Sequence, residues 1–106
     1  MRGALLLLLG LAIAGCAVRA PRDGSPGDAA RGRQLFASQC EGCHTYGVIG
    51  TPIAGDLQHL GARMSRDDIV RWLQDPQAQR PQVHMPRIAM PAQDARDLAA
   101  WLAASH

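Results

Sequence analysis

Apolar residues follow two different rules along this chain. Residues 4–14 form an apolar run broken only by Gly10. The run is shorter than the roughly 20 residues that a permanent membrane-spanning helix needs. Further along, apolar positions fall at helical spacing. Ile69, Trp72 and Leu73 stand at i, i+3 and i+4, and Ala95, Leu98, Trp101 and Leu102 make a second stripe. These predict a helix from about 66 to 75, stopped by Pro76, and a last helix over 92–104. Ser65 and Asp68 form a capping pattern ahead of the first of these, and Asp94 near the start of the second suits the helix dipole. Another helix is predicted from Asp28, an N-cap residue, to about 39, with Leu35 and Phe36 as its apolar residues. Between them, residues 45–55 hold Gly47, Gly50, Pro52 and Gly55 and predict a loop. Residues 58–64 predict a short helical turn or loop, and 77–90 a second loop.

The N-terminal pattern belongs to targeting. Arg2 precedes the apolar run, which fits the central region of a signal peptide. The run ends Leu11-Ala12-Ile13-Ala14-Gly15-Cys16, which resembles a bacterial lipobox, where the Cys is lipidated and becomes the mature terminus. The alternative is an ordinary signal peptide cut nearby. The expected organisation is a lipoprotein signal peptide over 1–15, the lipidated Cys16 with a flexible tether over 16–27, and one folded domain over 28–106. The tether carries Pro21, Gly24, Ser25, Pro26 and Gly27. Such a chain would sit on the periplasmic side of the bacterial envelope, held to a membrane at Cys16. Ala17, where Asp would favour inner-membrane retention, leans toward the outer membrane.

Composition narrows the function. Eleven Arg and no Lys face nine acidic residues, and no basic run of the nucleic-acid kind exists. Only four residues are Phe, Trp or Tyr, so a domain this small is marginal on its own apolar burial. Three cysteines leave no even disulfide set.

Two of those cysteines stand in Cys40-Glu41-Gly42-Cys43-His44. This C-x-x-C-H pattern is the attachment signature of c-type haem. Two thiols add across the haem vinyl groups, the spacing matches the vinyls, and the adjacent imidazole reaches the iron. The bare Cys pair has other readings, half of a zinc site or a redox disulfide. A covalent haem would supply the apolar surface that the chain lacks.

From about 28 to 103 the sequence resembles the small monohaem c-type cytochromes. The resemblance rests on the pentapeptide and on Pro76, Pro81, Met85 and Pro86 followed by a helix ending Leu98-Ala99-Ala100-Trp101-Leu102. It implies an all-α, cytochrome c-like fold with three to four main helices wrapped around one covalent haem c and its iron. It implies His44 and Met85 as the axial iron ligands. Met85 lies nine residues after Pro76 and thirteen before Leu98, as in the family. Met90, also before a Pro, is then a core residue at the start of the last helix, the lesser candidate for iron. The family also implies that Gly32 meets the C-terminal helix near Trp101, and that Trp72 packs on the haem, with an indole bond to a propionate as a further option. A carbonyl between Pro52 and Gly55 is expected to accept from His44. The sequence departs from the family at Val83, which has no hydroxyl for a propionate; Gln82 or Arg80 would have to replace it. His59, His84 and His106 are expected to be structural or solvent-facing.

The function implied is electron transfer, not catalysis, by a monomer that meets redox-protein donors and acceptors, with Arg80 and Arg87 as candidate contacts for an acidic partner. Two alternatives stand beside it. One is a haem sensor or peroxidase-like enzyme with a labile Met85. The other is a fixed electron-input subunit of a larger respiratory complex.

Overall fold

Asp28 opens the first helix. Its Oδ1 accepts the backbone N–H groups of Ala30 at 3.1 Å and Arg31 at 3.3 Å, two of the donors that a helix start leaves without partners. This helix, α1, spans Ala29–Gln39. The computed structural model describes residues 25–106 together with Gly3 and Gly10. Cys16, and apart from those two glycines the signal segment, lie outside the described residues, as does the tether as far as 24.

The second helix, α2, spans Arg66–Gln74. The expected capping box is formed: Asp68 N–H donates to Ser65 Oγ at 3.1 Å, and Ser65 N–H to Asp68 Oδ2 at 3.2 Å. Pro76 does end α2, but the chain does not pass straight into a loop. Asp75 Oδ1 accepts from Ala78 N–H at 3.2 Å, and a four-residue helix, α3, forms over Pro76–Gln79. Proline suits that first position, where an N–H would have no partner within the helix. The last helix, α4, spans Ala92–Ala103.

The loop expected over 45–55 is corrected at its start. Thr45–Tyr46 (β1) and Ile49–Gly50 (β2) pair antiparallel, with Thr45 opposite Gly50 and Tyr46 opposite Ile49. Gly47, at φ 62°, supplies the left-handed residue that a tight hairpin turn requires. The glycines that argued for a loop are the ones that make the ribbon. A 3₁₀ turn over Leu60–Ala62 falls where a short helical turn was expected.

Helices α1 and α2 both pack on α4. Their shared core is Leu35, Phe36, Ile69, Leu73, Ala95, Leu98 and Leu102, all buried. Trp101 stacks on Tyr46 with ring centroids 4.3 Å apart and tilts against Phe36 at 5.3 Å, so three of the four aromatic residues meet where α1, α4 and the hairpin join.

The α1–α4 crossing is tight. A Cβ on Gly32 would press into the carbonyl of Asp97 and come within 2.9 Å of Trp101 Cβ. Asp97 is buried on the same crossing. Its Oδ1 accepts from Asp28 N–H at 2.8 Å and Gln93 Nε2 at 2.9 Å, and its Oδ2 lies 3.3 Å from Arg31 Nε. Residues 25–27, the end of the segment read as tether, are tied to the helices. Ser25 O accepts from Gln93 Nε2 at 3.2 Å and Arg96 Nε at 3.0 Å. Four helices and one short ribbon give the mostly helical domain that the sequence predicts.

Candidate functional site

The attachment pentapeptide sits where α1 runs out. Cys40 caps the C-terminus of α1, its N–H donating to Phe36 O at 2.9 Å. The chain then turns on itself: Cys43 N–H and His44 N–H both donate to Cys40 O, at 3.1 and 2.9 Å. Two thiols and one imidazole are thus held on consecutive tight turns. Cys40 is buried in the core and Cys43 is exposed, and the two sulfurs are not joined. Burial pushes the Cys40 thiol up to about 11, so it is protonated near neutral pH. Among the described residues no group of three or more His, Cys, Asp or Glu side chains gathers as metal ligands.

His44 is oriented from behind. Its Nδ1 lies 2.7 Å from Gly55 O. A carbonyl only accepts, so Nδ1 carries the proton and Nε2 keeps its lone pair for a metal. Of the carbonyls expected to serve, Gly55 is the one. The strap that carries it folds back onto the pentapeptide, with Ile53 and Ala54 N–H donating to Cys43 O at 3.2 and 2.6 Å. Gly50, at φ 99°, lies so close to His44 O that a Cβ would collide with it.

Asp56, next to Gly55, fixes the strap to the hairpin. Its Oδ1 accepts from Thr45 Oγ1 at 3.1 Å, Gly47 N–H at 3.0 Å and Gln58 N–H at 3.4 Å. Desolvation alone would raise its carboxyl, but the hydrogen bonds from Gly47, Gln58 and Thr45, with the field of His59, hold it below the usual carboxylate range.

Met85 is half-buried and packs against the core, as does Met90. What separates them is polar contact at Met85. Trp72 Nε1 donates to Met85 Sδ at 3.1 Å, and Gln77 Nε2 donates to Met85 O at 2.7 Å and Val83 O at 3.4 Å. The indole N–H of Trp72 thus meets the Met85 sulfur. Gln82 and Arg80, weighed as substitutes at Val83, are exposed, and the side chain that meets this turn is Gln77. Sequence reasoning missed Gln77 because an amide on a short, unexpected helix carries no pattern.

The other histidines are engaged elsewhere or exposed. His59, at φ 69°, donates Nδ1–H to His106 O at 2.6 Å and its backbone N–H to Ser105 Oγ at 2.9 Å. His84 is exposed. Arg87 bonds Gln74 O at 3.3 Å and lies 3.7 Å from Asp75, which ties the segment after Met85 back to the end of α2.

These side chains fit a covalently attached haem. Two thiols flank a short turn, one imidazole presents a free Nε2, and a thioether is held at the core's edge. Imidazole nitrogen and thioether sulfur are the donor pair that haem iron takes in electron-transfer proteins.

The family model described as cytochrome C oxidase, cbb3-type, subunit III matches residues 27–102. No curated protein matches the chain.

Proposed function

This chain belongs to the family described as cytochrome C oxidase, cbb3-type, subunit III, and from that premise we propose that it is a membrane-tethered, one-electron carrier with a His44/Met85-ligated haem. Its domain is a c-type cytochrome domain, an electron-transfer haem protein in which haem c is held covalently with its iron. The haem supplies the reversible one-electron couple. The protein supplies attachment, axial donors and insulation. Cys40 and Cys43 are the thioether positions. His44 is the proximal ligand, and Met85 fills the sixth position in preference to Met90, so no coordination site remains for a substrate. Trp72 would pack against a haem on its Met85 side. A haem held here would meet partners at an edge near Cys40 and Cys43, of which Cys43 is exposed. Cys16 carries the lipid and places the domain on the periplasmic side of a bacterial envelope membrane, the outer one favoured.

The observation that carries this reading is the His44 Nδ1–Gly55 O bond of 2.7 Å. It fixes the tautomer and the ring plane of the residue that follows the second Cys, which is what a permanent axial ligand needs.

An absorption spectrum of the matured protein tests it, repeated for Met85→Ala. A long-wavelength sulfur-to-iron band that is present in the wild type and absent in Met85→Ala supports the carrier. A wild type that lacks the band and takes up CO readily supports the sensor or peroxidase-like alternative. Separately, Cys16→Ser should release the protein from membranes.

The family description favours a second reading, since it names an oxidase subunit. In that reading the chain is a fixed electron-input subunit. Isolation in mild detergent as part of a stable assembly would support it over the free carrier.

A further inference from the structure

Met85 is held at two atoms by two side chains from different helices. The indole of Trp72, on α2, donates to the sulfur at 3.1 Å. The amide of Gln77, on α3, donates to the main-chain oxygen at 2.7 Å. The first contact is not what its donor would choose by default. Thioether sulfur is a weak acceptor, and a half-buried indole N–H ordinarily seeks oxygen or water. Gln77 reaches 3.4 Å to Val83 O as well, so one amide spans both sides of His84 on the segment that leads into Met85. The segment after it is anchored too, through Arg87 to Gln74 O at 3.3 Å.

The chemistry of each contact differs. A thioether sulfur has two lone pairs. With one accepting an N–H, the other is free for a metal. The N–H draws electron density from sulfur and makes it a poorer donor. Ferric iron, the more highly charged state, gains most from donation, so a weaker donor favours the ferrous state and raises the potential. The Gln77 bond touches no donor atom. It fixes the backbone from which the sulfur projects, which lowers the entropic cost of keeping the ligand in place.

We infer that Trp72 and Gln77 are positioning residues for Met85: the Trp72 N–H on Sδ sets how strongly the sulfur donates to haem iron, and the Gln77 amide on the Met85 carbonyl keeps the loop from withdrawing it. This rests on Met85 as the sixth ligand.

The test uses the holoprotein, with three readouts: the sulfur-to-iron band, the reduction potential, and the rate at which the ferrous protein takes up CO. Trp72→Phe keeps an aromatic ring and removes the N–H; it should retain the band and lower the potential. Gln77→Glu keeps the shape and replaces the donor by an acceptor facing two carbonyls. It should speed CO uptake by roughly fivefold or more, the factor that one hydrogen bond is worth, with little change in potential. If Trp72→Phe does not accumulate, the wild-type ferrous protein answers by NMR. A Trp72 indole proton that is protected from exchange and close to the Met85 methyl supports the inference, and a freely exchanging one overturns it. Unchanged potential in Trp72→Phe together with unchanged CO uptake in Gln77→Glu reduces both residues to packing, while a band that is lost in Met85→Ala still certifies Met85. A wild type without the band removes the Met85 assignment itself, and this inference with it.

Discussion

Gly32 on α1 lies directly against the main-chain carbonyl of Asp97 on α4, with no room between them for a single carbon. The neighbour is backbone, which cannot swing aside. Gly32→Ala should therefore cost stability at the upper end of the roughly 1–3 kcal/mol typical of overpacking, outweighing the roughly 1 kcal/mol of helix propensity that Ala brings. Denaturant unfolding of the holoprotein measures it. An Ala variant as stable as wild type would show that the helices can part at little cost.

Asp97 does more at this crossing than its backbone. Its buried carboxylate accepts from Asp28 N–H and Gln93. Asp97→Ala leaves a buried backbone donor without a partner and should cost about 1–3 kcal/mol. Asp97→Asn retains an oxygen at the same place and should cost clearly less. Equal losses would mean that the charge near Arg31, rather than the acceptor, does the holding.

Two glycines near His44 should respond in opposite ways. Gly50 has φ 99° and no space for a Cβ, whereas a Cβ on Gly55 would meet nothing within 4 Å. Gly50→Ala should cost about 1–3 kcal/mol in strain. Gly55→Ala, which leaves the carbonyl that holds His44 intact, should stay within about 0.5 kcal/mol of wild type. Thermal unfolding of both holoproteins decides it, and a larger loss at Gly55 would contradict this geometry.

Met90→Ala should lower stability by roughly 1–2 kcal/mol, less than a fully buried Met because the residue is half-buried. The haem spectrum should not change. Loss of the sulfur-to-iron band in this variant would transfer the ligand role from Met85 to Met90.

Acid should loosen the fold at two carboxylates. Asp68 is held below the usual range by the Ser65 hydroxyl and backbone N–H, with Arg71 adding to it against desolvation, and Asp56 is lowered likewise. A carboxyl with a depressed folded value binds its proton more readily in the unfolded chain. Its contribution is complete above the ordinary carboxylate value of about 4 and drains away as pH falls through the lower folded value. The variant Asp56→Asn/Asp68→Asn should flatten the acid limb of the unfolding midpoint against pH. A limb as steep as wild type would place the acid sensitivity elsewhere.

What the sequence made legible followed from local rules. Asp28 and Ser65 announce helix starts because caps act within three residues, and the stripe from Ala95 to Leu102 announces a buried face because period alone reveals it. The pentapeptide was legible from its own spacing, which is tied to chemistry, and the Met85-Pro86 loop through resemblance. The hairpin was hidden because Gly47 and Gly50 serve turns and loops equally. Gln77 and the partner of the Trp72 N–H were hidden because they depend on where two helices and a loop meet in space. Asp97 left a faint signal: an acid four residues before Trp101, on the apolar side of α4.

The α1–α4 crossing also imposes a timetable. Asp28 and Asp97, which bond across it, are 69 positions apart, so it cannot close until nearly the whole chain is present, and closing so large a loop is entropically slow. The pentapeptide lies upstream of that event. While the crossing is open, both thiols are accessible. Once it closes, Cys40 is shut into the core with 4% of its surface left, out of reach of a bulky reactant. On the proposed thioether role of Cys40, attachment should come before closure, and a chain that closes early would lock itself out of that step.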